Sequence, residues 1–202
     1  MNPHFQRAVF LSAASDLAGT PADTGREIAF AGRSNAGKSS AINAICHQKA
    51  LARTSKTPGR TQQLIFFRLD DDEHRLVDLP GYGFARVSLA VKERWQALMA
   101  RYLNQRESLR GLVIVMDIRH PLTDFDRQMI DWGRAGGLPL LLLLTKADKL
   151  KRGAIDRTAV QVCRSIGVSS VPIDVVAFSA VNRLGLEAAH AWLSVWLGLE
   201  VD

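Results

Sequence analysis

Short apolar segments alternate with amphipathic ones along nearly the whole chain. Glu27 to Ala31 reads as a buried strand, with a glycine loop after it and then a helix from about Lys38 to Ile45. Gln62 to Leu69 and Arg75 to Leu79 read as two strands of a hairpin, joined by the acidic turn Asp70-Asp71-Asp72-Glu73. From Leu89 to Asn104 the residues Trp95, Leu98, Met99 and Tyr102 recur at helical spacing, the stripe of a helix packed on a core. Gly111 to Met116 and Leu138 to Leu144 are continuous apolar runs, as expected of strands covered on both faces. Helical patterns follow at about Asp124 to Arg134 and Ile155 to Ile166. A sixth strand follows at Asp174 to Phe178, then a closing helix at Gly185 to Leu199, with Leu186, Ala189, Leu193 and Trp196 inward. The order is β-α-β-β-α-β-α-β-α-β-α. It predicts an α/β fold: a mostly parallel six-stranded sheet with one antiparallel hairpin strand and helices on both faces. No repeat, linker or low-complexity tract marks a second domain. The expected division is an extension over residues 1–24 packed on a domain over 25–202.

Composition changes this picture in two places. With 202 residues, 47% hydrophobic and 23% charged, the chain matches an ordinary globular domain. Cys46 and Cys163 show neither CxxC spacing nor a paired pattern, which points to a reducing compartment. The run Leu138 to Leu144 is far shorter than the ~20 residues a membrane helix needs. Ala8 to Ala14 is a weak apolar stretch, and Ser12 and Asp16 make it a poor signal peptide. A cytoplasmic protein is the expectation.

The net charge of +6 is unevenly placed. Ile28 to Leu69 holds no Asp or Glu, yet carries Arg33, Lys38, Lys49, Arg53, Lys56, Arg60 and Arg68. A segment without acids suits a polyanion, because each carboxylate would repel it.

The motifs say which polyanion. Gly32-Arg33-Ser34-Asn35-Ala36-Gly37-Lys38-Ser39 fits GxxxxGKS between a predicted strand and a predicted helix. Gly32 and Gly37 let the backbone curl so that successive N–H groups face a phosphate. The helix start adds its positive dipole end. Lys38 reaches the β- and γ-phosphates, and the Ser39 hydroxyl ligates Mg²⁺. Asp78-Leu79-Pro80-Gly81 (DxxG) ends a strand, where a carboxylate can hold Mg²⁺ through water and the Gly81 N–H can sense the γ-phosphate. Between the two lies the long basic loop His47 to Arg60, running on through Thr57-Pro58-Gly59-Arg60-Thr61. Switch loops of this kind close a threonine hydroxyl on Mg²⁺. Thr57 and Thr61 are both available, and Thr61, next to the strand, is favoured.

Thr145-Lys146-Ala147-Asp148 follows an apolar strand and is a variant of the NKxD guanine box. Guanine offers N1–H and N2–H₂ side by side, two donors that one carboxylate accepts together, and adenine offers no such pair. Lys146 would lay its stem over the base plane. Phe178-Ser179-Ala180 ends the sixth strand, where a backbone N–H could meet guanine O6. Taken in order, the boxes favour GTP over ATP.

The blocks GRSNAGKSS from Gly32, TSKTPGRTQ from Thr54, DLPGYGFA from Asp78 and TKAD from Thr145 closely resemble the EngB/YihA/YsxC GTPases of ribosome biogenesis. That family lies within the TrmE-Era-EngA-EngB-septin group, and the likeness runs over nearly the whole chain. The resemblance implies a Ras-like P-loop GTPase domain. It places GTP contacts at Gly32 to Ser39, at Gly59, Arg60, Thr61, Gln62 and Gln63, at Asp78 to Gly81, at Thr145 to Asp148 and at Phe178 to Ala180. It places Mg²⁺ on Ser39 and Thr61. It further implies a monomer that associates with the large ribosomal subunit and its RNA during assembly, and a role in division and septation. Two departures stand out, Phe84 where a tyrosine is expected and Gln63-Leu64 after the TQ.

Catalysis would rest on Lys38, Thr61 and Gly81. Ras-like enzymes carry a glutamine directly after DxxG, but this chain has Tyr82, a poor water-positioning group, so slow turnover is expected. Asn35 has two readings. It resembles a P-loop asparagine that helps hold K⁺ in some relatives, and asparagine also tolerates a turn conformation. The rival functions are a P-loop kinase for a small molecule and a nucleotide-gated RNA- or ribosome-binding module without catalysis.

Overall fold

The computed structural model describes residues 3–52, 63–81 and 89–200. Among these residues seven strands form one sheet: β1 (Val9–Ala14), β2 (Arg26–Gly32), β3 (Leu64–Arg68), β4 (His74–Asp78), β5 (Leu109–Asp117), β6 (Leu140–Thr145) and β7 (Ile173–Ala177). Six helices accompany them: α1 (Pro3–Gln6), α2 (Lys38–Ile45), α3 (Leu89–Gln105), α4 (Asp124–Ala135), α5 (Arg152–Ile166) and α6 (Leu186–Leu197).

The strand order is β1-β3-β4-β2-β5-β6-β7. Strands β4, β2, β5, β6 and β7 run parallel, whereas β3 is antiparallel to β4 and β1 is antiparallel to β3. After β2 the chain builds one side of the sheet through β4 and then crosses to β5 on the other side. Such a switch point opens a crevice beyond the carboxyl ends of the strands.

The apolar runs are continuous because both sheet faces are covered, and alternate residues serve opposite cores. Ala29, Ala31, Leu112, Ile114, Leu140, Leu142 and Leu144 share one core with Met99 and Tyr102 of α3, Met129 of α4 and Val162 of α5. Ile28, Phe30, Val113, Val115, Leu141 and Leu143 share the other with Ile42 of α2 and Ala189, Leu193 and Leu197 of α6. Removing all but the Cβ of one such leucine costs on the order of 2–5 kcal/mol. Cys46 belongs to this second core, and burial pushes its thiol up to about 12.

The sheet has one strand more than the sequence pattern predicts. Val9, Phe10 and Leu11 are all exposed, and Leu11 falls in a bulge where the pairing with β3 slips between Phe10 and Ser12. The bulge breaks the alternation by which a strand is recognised, and an edge strand buries too little to show a second signal. The segment ahead of it is anchored on the domain. Phe5 is fully buried and stacks on His190 at 5.0 Å between ring centroids. The Gln48 amide donates to the carbonyls of Gln6 (3.1 Å) and Ala8 (2.6 Å). Among the described residues no helix is long and apolar enough to cross a membrane.

Candidate functional site

The loop Gly32 to Ser39 leaves β2 at the switch point and turns into α2. Its glycines are required by contact and by angle. A Cβ on Gly32 would stand 2.8 Å from the Val115 carbonyl oxygen. Gly37 caps α2 with φ at 98°, and a Cβ there would meet the Thr145 hydroxyl at 3.2 Å. Asn35 adopts φ 63°, the left-handed conformation that asparagine tolerates better than most residues. No acid occupies the first turn of α2, so the helix itself carries no side chain that offsets its positive dipole end.

Lys38, the first residue of α2, is nearly buried and pairs with Asp78 at the end of β4. Burial pushes the Lys38 ammonium down to about 7. Leu79 donates its N–H to Phe30 O at 2.9 Å, and Trp95 Nε1 donates to Pro80 O at 3.0 Å. These bonds hold Asp78 to Gly81 against the phosphate loop: a Cβ on Gly81 would lie 3.5 Å from Gly32 O and 3.7 Å from Ser34 N.

The base side is assembled from three strand ends. The Thr145 hydroxyl lies within bonding reach of the Ala36 and Met116 carbonyls, tying β6 to the phosphate loop and to β5. Lys146 takes φ 58° and donates its Nζ to Asn35 O (2.6 Å) and Asp117 Oδ2 (3.0 Å). Asp148, in the helical turn Ala147–Lys149, accepts from Ser179 Oγ at 2.8 Å and pairs with Lys149 at 3.1 Å. The Ser179 bond, then Lys149, hold its carboxyl below the usual range. Ala147 N–H donates to Phe178 O at 3.1 Å, which sets the Phe178-Ser179-Ala180 segment beside the box. Gly37, Thr145, Lys146, Asp148, Phe178 and Ala180 line a cleft of about 160 Å³. A larger groove of about 410 Å³ lies between α3 and α4, but Lys92, Gln96, Asp124, Phe125 and Gln128 line it and no motif residue does. The smaller cleft is therefore the candidate site.

The structure brings Gly32 to Ser39, Asp78 to Gly81, Thr145 to Asp148 and Phe178 to Ala180 together at the carboxyl ends of β2, β4, β6 and β7. Gln63 lies just ahead of β3, where its amide donates to Ser15 Oγ at 3.2 Å. Gly59, Arg60, Thr61 and Gln62, with Thr57 and Tyr82, lie outside the described residues. Sequence reasoning missed Asp117. It closes β5 after a run of six apolar residues and is the register partner of Thr145. Its signal was a single carboxylate terminating a fully buried strand. The Arg119 fork, then Lys146, hold its carboxyl well below the usual range.

The family model described as "50S ribosome-binding GTPase" matches residues 27–146. The probable GTP-binding protein EngB of Idiomarina loihiensis is 50% identical over 198 residues, covering 98% of this chain and 96% of that protein. Among solved structures, a probable GTP-binding protein EngB superposes with a TM-score of 0.68 at 22% identity, over 86% of this chain and all of that one. The Era protein of Aquifex aeolicus, solved with GDP and aluminium fluoride, superposes with a TM-score of 0.67 at 16% identity, over 87% of this chain and 57% of its own. Likenesses as distant as these two show the fold, a P-loop GTPase domain. With half its residues shared with the I. loihiensis protein over nearly the full length of both, the chain belongs to the EngB family of GTP-binding proteins.

Proposed function

We propose that this chain is a slow GTPase switch, cytoplasmic and monomeric, that binds the large ribosomal subunit during its assembly, with cell division depending on it through that role. The observation that carries the reading is the convergence of Lys38, Asp78 and Asp148 on one edge of the sheet. A phosphate-binding cation, a switch carboxylate and a guanine acceptor then share one ligand. Lys38 and the N–H groups at the start of α2 hold the β- and γ-phosphates. Asp148 accepts the guanine N1–H and N2–H₂, and Lys146 lies along the base. Ser39 and Asp78 offer a hydroxyl and a carboxylate, hard oxygen donors of the kind Mg²⁺ takes. Ser39, with Thr61, would hold the ion, which supplies positive charge between the phosphates. Gly81 follows the γ-phosphate through its N–H, and Tyr82 in place of a glutamine keeps turnover low.

The large-subunit partner is supported by the EngB family resemblance and by the acid-free stretch. Arg33 and Lys49 within that stretch are exposed, whereas Arg68 is neutralised by Asp72 at 2.8 Å. A second reading, a nucleotide-gated RNA-binding module without catalysis, fits the same surface. Cosedimentation with purified large subunits tests the proposal, in GDP and in a non-hydrolysable GTP analogue, alongside single-turnover phosphate release. We expect binding that depends on the nucleotide and weakens steeply with salt as counterions are released. Hydrolysis should be slow alone and faster on subunits. Running it in KCl and in NaCl tests the K⁺ reading of Asn35. Binding indifferent to both nucleotide and salt would remove the ribosomal partner, and no phosphate release with subunits present would leave the module.

A further inference from the structure

Beneath the base cleft the ends of β5 and β6 set two cations around one carboxylate. Asp117 Oδ1 accepts from Arg119 Nε at 2.9 Å and from the Arg119 backbone N–H at 3.0 Å. Asp117 Oδ2 accepts from Arg119 Nη2 at 2.6 Å and from Lys146 Nζ at 3.0 Å. A fork and an ammonium thus occupy both oxygens with charge-assisted bonds. Lys146 is fixed at its other bond as well, by the Asn35 carbonyl of the phosphate loop at 2.6 Å.

Asp148 stands close by and is far less committed. Its Oδ1 takes the Ser179 hydroxyl, while its Oδ2 meets Lys149, whose side chain is 59% exposed. A pair of that kind is weak and exchanges readily with solvent. Arg119 Nη2 and Lys146 Nζ share Asp117 Oδ2, and Lys146 stands two positions before Asp148 in the chain, so the Arg119 charge is felt at Asp148 as well. A guanidinium released from Asp117 would compete for the carboxylate that guanine has to find open, because its fork presents two parallel donors much as guanine does.

We propose that Asp117 is a specificity-determining positioning residue: it pins Lys146 to the phosphate loop as a shelf for the base, and it keeps Arg119 off Asp148. The proposal rests on Asp148 being the guanine acceptor. Asp117 itself touches no base donor, and it acts through the two cations it holds. Discrimination then comes from buried polar groups kept free for the right partner, with the wrong partner leaving them unpaired.

The test compares the affinities of GDP, IDP and ADP, nucleotides that report on the base without turnover. Hypoxanthine lacks the 2-amino group, so the GDP-to-IDP ratio reads the Asp148 contact alone. Wild type should prefer GDP over both, and Asp148→Asn should erase the preference. Asp117→Asn should weaken GDP about tenfold and shrink the GDP-to-IDP ratio about threefold or more. Adding Arg119→Ala to it should restore most of that ratio, because the competitor is gone. The thermal midpoint of each variant is measured beside it, and Asp117→Ser replaces Asn if the latter folds poorly. A GDP-to-IDP ratio that stays at the wild-type value overturns the proposal, whether affinities fall together with stability or do not change. A ratio that falls but is not restored by Arg119→Ala overturns the role given to Arg119. If wild type itself fails to prefer GDP over IDP, the guanine reading of Asp148 falls and the proposal with it. That outcome is read in the wild-type measurement, before any variant is made.

Discussion

The two ends of the sheet carry similar charged groups and use them in opposite ways. At the amino end of β2, Glu27 is fully buried and accepts from Arg75 Nε (2.9 Å), Arg106 Nη2 (2.7 Å), Arg106 Nε (3.0 Å) and the Tyr102 hydroxyl (3.1 Å). Asp23 accepts the backbone N–H groups of Glu107 (3.0 Å) and Ser108 (2.8 Å) and pairs with Arg106. Two acids face two arginines, and burial holds Tyr102 well above its usual range as a hydroxyl donor. At the carboxyl ends, Asp78, Asp117 and Asp148 face four cations: Lys38, Arg119, Lys146 and Lys149. Charge balanced inside the chain makes a joint, and charge left in excess around a cleft makes a site for an anion.

Substitutions at each end should separate these roles. Glu27→Ala should have the largest effect, because it removes the carboxylate shared by two arginines, each with its side chain only 5% exposed, and leaves Arg106 only Asp23. Losing one partner of such a buried network costs about 3–5 kcal/mol. Denaturant unfolding should show that loss, while the GDP affinity of the folded fraction stays within about twofold of wild type. A large change in affinity with little change in stability would reverse the comparison. Lys38→Ala should do the opposite, lowering affinity for GTP and GDP about a hundredfold, roughly 2.7 kcal/mol. Its stability loss should be smaller than that of Glu27→Ala. Undiminished binding of radiolabelled GTP would take Lys38 out of the phosphate site.

The smallest effect is expected away from both ends, at His190. Burial lowers its pKa from 6.5, with His47 adding to the shift and the Ile45 carbonyl, 2.8 Å from Nε2, opposing it. The folded state therefore keeps His190 neutral where the unfolded chain would take up a proton. Its contribution is complete above about pH 6.5 and is lost as pH falls below that through the folded value. Unfolding free energies measured from pH 7.5 to pH 5 should fall more steeply in wild type than in His190→Gln. Parallel curves would mean that His190 does not titrate with folding.

What the sequence reveals follows from what kind of signal each feature leaves. The phosphate loop, DxxG and TKAD are contiguous strings whose order and spacing survive without coordinates, and the structure gathers all three at one edge. Buried strands such as β5 and β6 announce themselves because both faces are apolar. The Glu27 joint left no trace, since Glu27, Arg75 and Arg106 are far apart in the chain and each alone reads as a surface residue. Tyr102 reads as core packing, which it is, but its hydroxyl also serves Glu27. Asp117 escaped for a related reason. It is 29 positions from Lys146, and only parallel pairing of β5 and β6 sets the two side by side. Strand β1 is illegible in the sequence because its bulge and its exposed residues erase the alternating pattern.

The position of β1 also has a consequence in time. The first of the seven strands sits at the outer edge of the sheet, and among the described residues its strand partner is β3: Val9 pairs with Arg68, 59 positions later. At a synthesis rate of about 5–20 residues per second, those 59 positions take roughly 3 to 12 s to make. Throughout that interval the backbone groups of Val9, Phe10 and Ser12 lack the strand they pair with, so β1 joins the sheet only once β3 has been made.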